Sequence, residues 1–280
     1  AALGDYYLAR CNPLDGTALP PAAQLYSLRG ATAIYLHQGD SVRHRACMDL
    51  AQQLAQQLGD VNAELFLLSS EILMTRLKGN FEDARRKAEQ LVRASQSCGN
   101  MFFLGTGYGQ LGTALLHTGD LFAAARHLVS GLAIAERERH AHAVAIDDVR
   151  LCCALRSGQL DKARQLAPGL LKRFEDTPAT FVHLQDACPG VARTLLVLWQ
   201  SATQRSERHQ LALLLQRALR MTRGYARVFR VGQPAAWLLT GHYQYLRGER
   251  ESARRSFATS HRIARQLGMP FEAAQAQAWL

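Results

Sequence analysis

Gly107-Tyr108-Gly109-Gln110-Leu111-Gly112 matches G-x-G-x-x-G, a spacing that lets backbone N–H groups approach a pyrophosphate. That chemistry needs a strand before the glycines and a helix opening after them. Here helical apolar spacing runs through the whole segment. Close helix packing is the expected role, and phosphate binding the minor alternative. His140, His142, Asp147 and Asp148 form the densest cluster of metal-ligand types. Ligands on one helix converge at i, i+3 or i, i+4. His140 to His142 is i+2 and His142 to Asp147 is i+5, so no metal site is expected. Asp148 is expected either to pair with Arg150 or Arg156, or to face a groove. No serine sits in a nucleophile elbow, no Cys/His pair stands out by spacing, and Glu136 and Glu138 lie i+2 apart. No catalytic residue is assigned, no cofactor is expected, and the chain is not read as an enzyme.

Arginine is the other residue type that could do chemistry. Residues 201–265 hold 13 arginines and three acids, a surplus of ten that equals the formal net charge of the chain, +10. Arg217, Arg220 and Arg223 share a helix face. With Arg227, Arg230, Tyr225 and Phe229 they could grip phosphate and stack bases. Helical RNA readers, however, repeat their reading side chains in every unit, and here one end alone is basic. The alternative is a solvated outer face or an acidic protein partner.

A repeat positions these residues. Gly39-Asp40 returns as Gly79-Asn80, Gly119-Asp120 and Gly158-Gln159, at spacings of 40, 40 and 39 residues, and again at Gly248-Glu249, 90 residues further on. A second turn recurs at Gly59-Asp60, Gly99-Asn100 and Gly268-Met269. Glycine suits the left-handed position after a helix, and Asp or Asn can cap the next one. A period of this size predicts stacked helix pairs. The pairs are Ala22–His37 with Val42–Leu58, Asn62–Lys78 with Phe81–Ser97, and Met101–Thr118 with Leu121–Arg137. His142–Ser157 with Leu160–Phe174, Gln185–Gln200 with Glu207–Arg223, and Gln233–Arg247 with Glu251–Leu267 follow. No strand pattern survives. The expected fold is all-α, a right-handed superhelix of about six antiparallel helix pairs.

Small Gly112 and Gly241 fall seven residues before a turn glycine. Ala84, Ala124, Ala163 and Ala253 fall five after one, and Met48, Leu128 and Phe257 nine after. This resembles the tetratricopeptide pattern, in which small residues let two helices approach and a large one fills the gap. The first unit departs from it, with His44 at the alanine position. The period of about 40 exceeds the usual 34. In that it resembles the C-terminal sensor or regulatory region of bacterial LuxR-type activators, related to the maltose-regulon activator, and of signal-transduction ATPases. The phrase Ala264-Arg265-Gln266-Leu267-Gly268-Met269-Pro270-Phe271-Glu272-Ala273-Ala274 looks like repeats of those proteins.

The resemblance implies a cytoplasmic sensing arm. It would bind a small-molecule effector or a protein partner and act on ATPase or DNA-binding domains of the same longer chain. This chain has no G-x-x-x-x-G-K-[ST] loop and no convincing helix-turn-helix. By register with tetratricopeptide grooves, positions ten, six and three before each turn glycine face inward. The polar members are Arg29, Arg76, Thr113, Asp148, His242 and Tyr245. Gly107 and Gly109 join them as close-contact positions, and the glycine-rich helix and Cys188-Pro189-Gly190 are the hinge candidates.

Composition agrees with this class. Apolar residues make up 48% and charged residues 20%, enough for a long core. No run of about 18 uncharged apolar residues occurs, so no membrane span is expected. Six cysteines without C-x-x-C spacing fit a reducing compartment. One domain over 1–280 is expected. It divides into a remnant and loop at 1–21, four regular repeats at 22–174, and two further repeats at 175–280 after an irregular junction. Both ends are expected to be cuts in a longer protein. Two alternatives stay open: a constitutive scaffold that clamps a peptide, and nucleic-acid binding through the arginine-rich third.

Overall fold

Each turn glycine breaks the chain where the repeat places it. Gly39, Gly59, Gly79, Gly99, Gly119, Gly158, Gly248 and Gly268 all have positive φ, between 63° and 95°. A side chain would clash there, so the helix stops and the next begins. Asp40, Asp60, Asn100 and Asp120 then accept from the N–H three residues on, each at 3.0 Å. Gln159 and Glu249 make no such cap; their extra methylene carries the acceptor past the first turn. Asn80 also makes none, and nothing in its surroundings explains it.

The structure is a computed structural model that describes Leu14 and residues 19–138, 143–177 and 184–280, with the backbone alone at 184–187. The helices are α1 (Pro21–Gln38), α2 (Ser41–Leu58), α3 (Val61–Leu77), α4 (Phe81–Ser97), α5 (Met101–Thr118), α6 (Leu121–Arg137) and α7 (Ala143–Arg156). After them come α8 (Leu160–Glu175), α9 (Leu184–Ser201), α10 (Arg205–Val228), α11 (Gln233–Leu246), α12 (Arg250–Gln266) and α13 (Pro270–Gln277). A 3-10 turn, Arg230–Gly232, precedes α11. Among the described residues there is no strand. Helices α1 to α12 form six antiparallel pairs stacked as a right-handed superhelix, with α13 added at the end. Most of the expected remnant and loop at 1–21, with His140 and His142, lies outside the described residues.

Small and large residues meet as the tetratricopeptide pattern requires. A Cβ on Gly112 would lie 2.5 Å from Leu128 Cδ2, and one on Gly241 2.5 Å from Phe257 Cε1. Ala84, Ala124, Ala163 and Ala253 are buried at the crossings. His44, in the alanine position of the first pair, is 4% exposed and its Nε2 lies 3.3 Å from Ser70 Oγ. The first helix of each pair also touches the first helix of the next, so α1, α3, α5, α7, α9 and α11 form a continuous inner layer.

Two readings of the irregular region change. The hinge candidate Cys188-Pro189-Gly190 is buried within regular helix inside α9. Helix α10 runs five residues past the expected Arg223 end. Its extra turn buries Tyr225 and leads into the 3-10 turn.

That turn and the one before α13 close the superhelix. In an open solenoid each repeat touches its neighbours alone. Here a Cβ on Gly39, in the first turn, would lie 2.5 Å from Leu267 Cδ2 in the last. Gly79 faces Pro270 and Phe271 in the same way, at 3.6 Å. The Phe271 ring stands edge-on to Phe81 at 5.0 Å and to His117 at 5.3 Å. His37 meets Phe229 at 5.0 Å, and Gln38 Nε2 donates to Val228 O at 3.4 Å. Leu77, Val231, Ala264, Met269 and Ala273 form a small core of their own at the seam. The first three repeats and the end of the array, from Val228 onward, are thus joined across the concave side.

Candidate functional site

Two cavities lie along the inner layer, and the seam residues Val231, Met269 and Phe271 line the second of them. The larger, of about 210 Å³, lies between α1, α3, α5 and the start of α7. Its apolar wall includes Leu36, Phe66, Leu73, Phe102, Phe103, Ile146 and Val149. Its polar members are His37, Ser69, Ser70, Arg76, Thr106, Gln110 and Thr113. Arg76, 7% exposed, carries the one formal charge among these lining residues. Most of the other polar groups are engaged locally. Thr106 Oγ1 donates to Phe102 O at 3.0 Å, and Thr113 Oγ1 to Gly109 O at 2.9 Å. His37 Nδ1 lies 2.7 Å from Ala33 O. Gln110 Nε2 donates to Ser69 Oγ at 2.9 Å and to Ser69 O at 3.2 Å.

The second cavity, of about 150 Å³, lies deeper along the array, between α5, α7, α9, the 3-10 turn and α13. Here Asp148 faces Arg156, Arg193 and Glu272 across the same space. Asp148 is 1% exposed and closely packed: a Cβ on Gly190 would fall 2.1 Å from its Oδ2. Cys152 Sγ lies 3.8 Å from that oxygen, and burial first, then Asp148, pushes its thiol well up. Burial likewise raises Cys47 and Cys153 to about 11 and Cys188 to about 12. These thiols stay protonated at neutral pH, which withholds the thiolate a nucleophile needs. Among the described residues no three His, Cys, Asp or Glu side chains gather to hold a metal. Nor is any described helix long and apolar enough to cross a membrane.

The inward register brings together residues from the first four repeats. Ala33, Ser69, Leu73, Arg76, Gly109 and Thr113 line the first cavity, and Thr113, Asp148 and Cys152 the second. Four expected members lie elsewhere. Arg29 stacks its guanidinium on the Phe66 ring, 4.7 Å from the centroid, beside the wall rather than in it. Gly107 faces α4, where a Cβ would meet Val92 Cγ2 at 3.0 Å and Val92 N at 3.3 Å. Its role is helix packing, so a bulky residue there would disturb the stack. His242 and Tyr245 face Trp279, with ring centroids 4.7 Å and 5.2 Å away. The chain beyond α13 covers their side of α11. Burial there, with Arg193 nearby, lowers the His242 pKa to about 4.

The aromatic and amide residues Phe66, Phe102, Phe103 and Gln110 were missed. For Phe66 and Gln110 a signal was available: Phe66, Thr106 and Ala145 stand thirteen residues before their turn glycines, and Ser70, Gln110 and Val149 nine before. Both positions continue the same helical stripe by a turn.

Asp148 takes the other expected place, on the wall of the second cavity. Asp147 takes Arg150 at 2.9 Å and also Arg173, while Arg156 donates to Leu116 O. At the basic end, Arg217 forms a two-pronged pair with Glu175, at 2.9 and 2.5 Å, and Arg223 reaches Thr240 Oγ1 at 3.3 Å. Arg220, Arg227 and Arg230 are exposed. Tyr225, 1% exposed, packs with Phe229 at 4.9 Å inside the fold, which removes the expected stacking surface.

No protein-family model matches the chain, and no curated protein sequence does. Among solved structures it is similar to RapI in its apo form, a TPR-like helical-repeat protein. The TM-score is 0.63 at 9% sequence identity, over 95% of this chain and 90% of that one. At that identity the likeness speaks for the fold alone. This chain is a helical-repeat solenoid.

Proposed function

We propose that the chain is a non-enzymatic sensing module that captures a small-molecule effector inside its closed superhelix. The observation that carries this is the larger cavity. It is lined at tetratricopeptide groove register by α1, α3 and α5, and lies within a superhelix closed by the seam at Gly39, Leu267 and Phe271. A half-open concave pocket with an apolar wall and few convergent polar groups suits a small ligand. A peptide-clamping scaffold asks for an open trough, which the joined ends narrow. The mechanism is a shift between closed and opened curvatures, through the ligand's different affinity for the two.

The wider setting belongs to the same proposal. The repeat length and the closing phrase at 264–274 support reading the chain as the effector arm of a bacterial transcriptional regulator of the LuxR type, acting on ATPase or DNA-binding domains beside it. Among the described residues Cys47, Cys98, Cys152, Cys153 and Cys188 are free, which supports a reducing, cytoplasmic setting. A thermal-shift screen against metabolites, sugars and nucleotides at low and moderate salt tests the capture step. The expected result is a rise in melting temperature with one small-molecule class that survives salt. A rise with nucleic acid alone, abolished by salt, refutes the reading in favour of the arginine-rich surface.

A further inference from the structure

The wall of the larger cavity narrows the ligand class, given the reading of that cavity as the effector site. We infer that it takes a small, uncharged, mainly apolar molecule whose polar group is an N–H or O–H donor, held by a stripe of oxygens on α5.

Charge comes first. Arg76 brings the one formal charge to this wall, and it is already engaged with a partner of its own. His37 is engaged as well, with Nδ1 2.7 Å from Ala33 O. A charged ligand would leave water for a wall with no counter-charge to spare, which is costly. Phe66, Leu73, Phe103, Ile146 and Val149 supply the apolar contact. Most of the affinity then comes from apolar area removed from water.

The polar requirement comes from α5. Thr106, Gln110 and Thr113 stand at i, i+4 and i+7, so they share one face of that helix, and all three line the cavity. Their protons are spent. The two threonine hydroxyls donate to carbonyls of their own helix. Gln110 Nε2 donates to Ser69 O and to Ser69 Oγ. A backbone carbonyl can only accept, which fixes the orientation of the amide. What the stripe has left is oxygen: a lone pair on each hydroxyl, and Gln110 Oε1, which has no hydrogen-bond partner. Acceptors in a row are completed by a donor. A ketone, ester or ether would set its own oxygen against them. A sugar would bring more hydroxyls than the stripe can satisfy.

The test is calorimetric titration of the whole chain with two probes of this class, indole and 1-naphthol. Benzofuran, which has the shape of indole without its donor, and indole-3-carboxylate, which keeps the donor and adds a charge, serve as controls. At least one probe should bind. Indole should bind about threefold to tenfold more tightly than benzofuran, the worth of one neutral hydrogen bond, and more tightly than the carboxylate. Thr106→Val, Thr113→Val and Gln110→Leu, combined, should level indole and benzofuran while benzofuran still binds. Ala33→Phe, which fills the cavity, should abolish binding with helical circular dichroism intact. Binding of neither probe, equal affinity for indole and benzofuran, or tighter binding of the carboxylate overturns the ligand class. Probe binding unchanged in both Ala33→Phe and the α5 variant overturns the cavity as the site, and with it the reading on which this inference rests.

Discussion

The seam that joins the last repeat to the first two can be opened by itself. The perturbation is the double variant Met269→Ala, Phe271→Ala. Met269 is 3% exposed, in the small core with Leu77, Val231, Ala264 and Ala273. Its truncation removes buried methylenes and leaves a cavity, at about 2–3 kcal/mol. Phe271 is half-buried, and its edge-on contacts with Phe81 and His117 are worth about 0.5–1.5 kcal/mol each. Together the seam loses about 4 kcal/mol. Its other contacts, chiefly Leu267 on Gly39 and the His37 and Phe229 rings, are too few to hold it at that loss.

The pairs themselves are held by neighbour packing, which neither residue supplies. Helical circular dichroism should therefore stay within a few per cent of the parent, while small-angle scattering shows a larger radius of gyration. Two results refute the reasoning. An unchanged radius with an unchanged melting temperature would mean the seam contributes nothing. Loss of helicity together with compaction would mean that the pairs depend on ring closure and the array does not behave as a sum of neighbours.

Other outcomes follow from single positions. Gly112→Ala and Gly241→Ala should each cost about 1–3 kcal/mol in urea unfolding, because the added Cβ falls 2.5 Å from Leu128 or Phe257 and the core there has no slack. Asp120→Ala should cost about 1 kcal/mol through the lost cap on Ala123, whereas Asn80→Ala, which removes no cap bond, should be near neutral. His44 is held neutral by burial, its pKa lowered from 6.5 to about 4. Between those values the unfolded chain binds a proton the folded chain refuses. Stability is therefore full above pH 6.5 and falls by about 3 kcal/mol toward pH 4. His44→Ala, which restores the small residue of the other repeats, should flatten that fall in a urea series from pH 7 to 4.5.

The repeat was legible because its causes are local. A glycine that must adopt positive φ, an aspartate three residues from the N–H it caps, and a small residue opposite a large one each act within about 40 residues. Helix boundaries followed to within a residue or two wherever these signals were present. They drifted at the end of the fifth pair, where α10 runs past the expected Arg223 to Val228 with no positive-φ glycine to stop it. Pro189 is tolerated within α9 near its start, and Gly190 serves to admit the Asp148 carboxylate, so the residues that looked like punctuation are packing devices. The arginine-rich third misled for a related reason. Charge counts do not show that Arg217 and Arg164 reach Glu175 and Glu207 on the neighbouring outer helices, or that Tyr225 turns inward.

The groove was legible in part, and the limit has a physical origin. Which side chains face inward depends on helical phase, which a repeat carries in its own sequence. The register accordingly found residues of both cavities in the first four repeats. Whether the inner face is an open trough or a closed chamber depends on the small rotation between repeats summed over six pairs, and on what the last turn then meets. No single repeat encodes that sum. Leu267, Met269 and Phe271 read as an ordinary helix end, although they reach Gly39, Leu77 and Gly79 more than 180 residues away. Closure also explains why His242 and Tyr245 left the groove. In the sixth pair, the residues at the same phase on α11 lie beneath Trp279 instead of beside the first cavity. A solenoid that closes on itself thus keeps its repeat in the sequence but turns equivalent positions into unequal ones. On the proposed reading, effector chemistry is confined to the repeats that line the first cavity, and the seam is the element that a bound ligand would tighten or release.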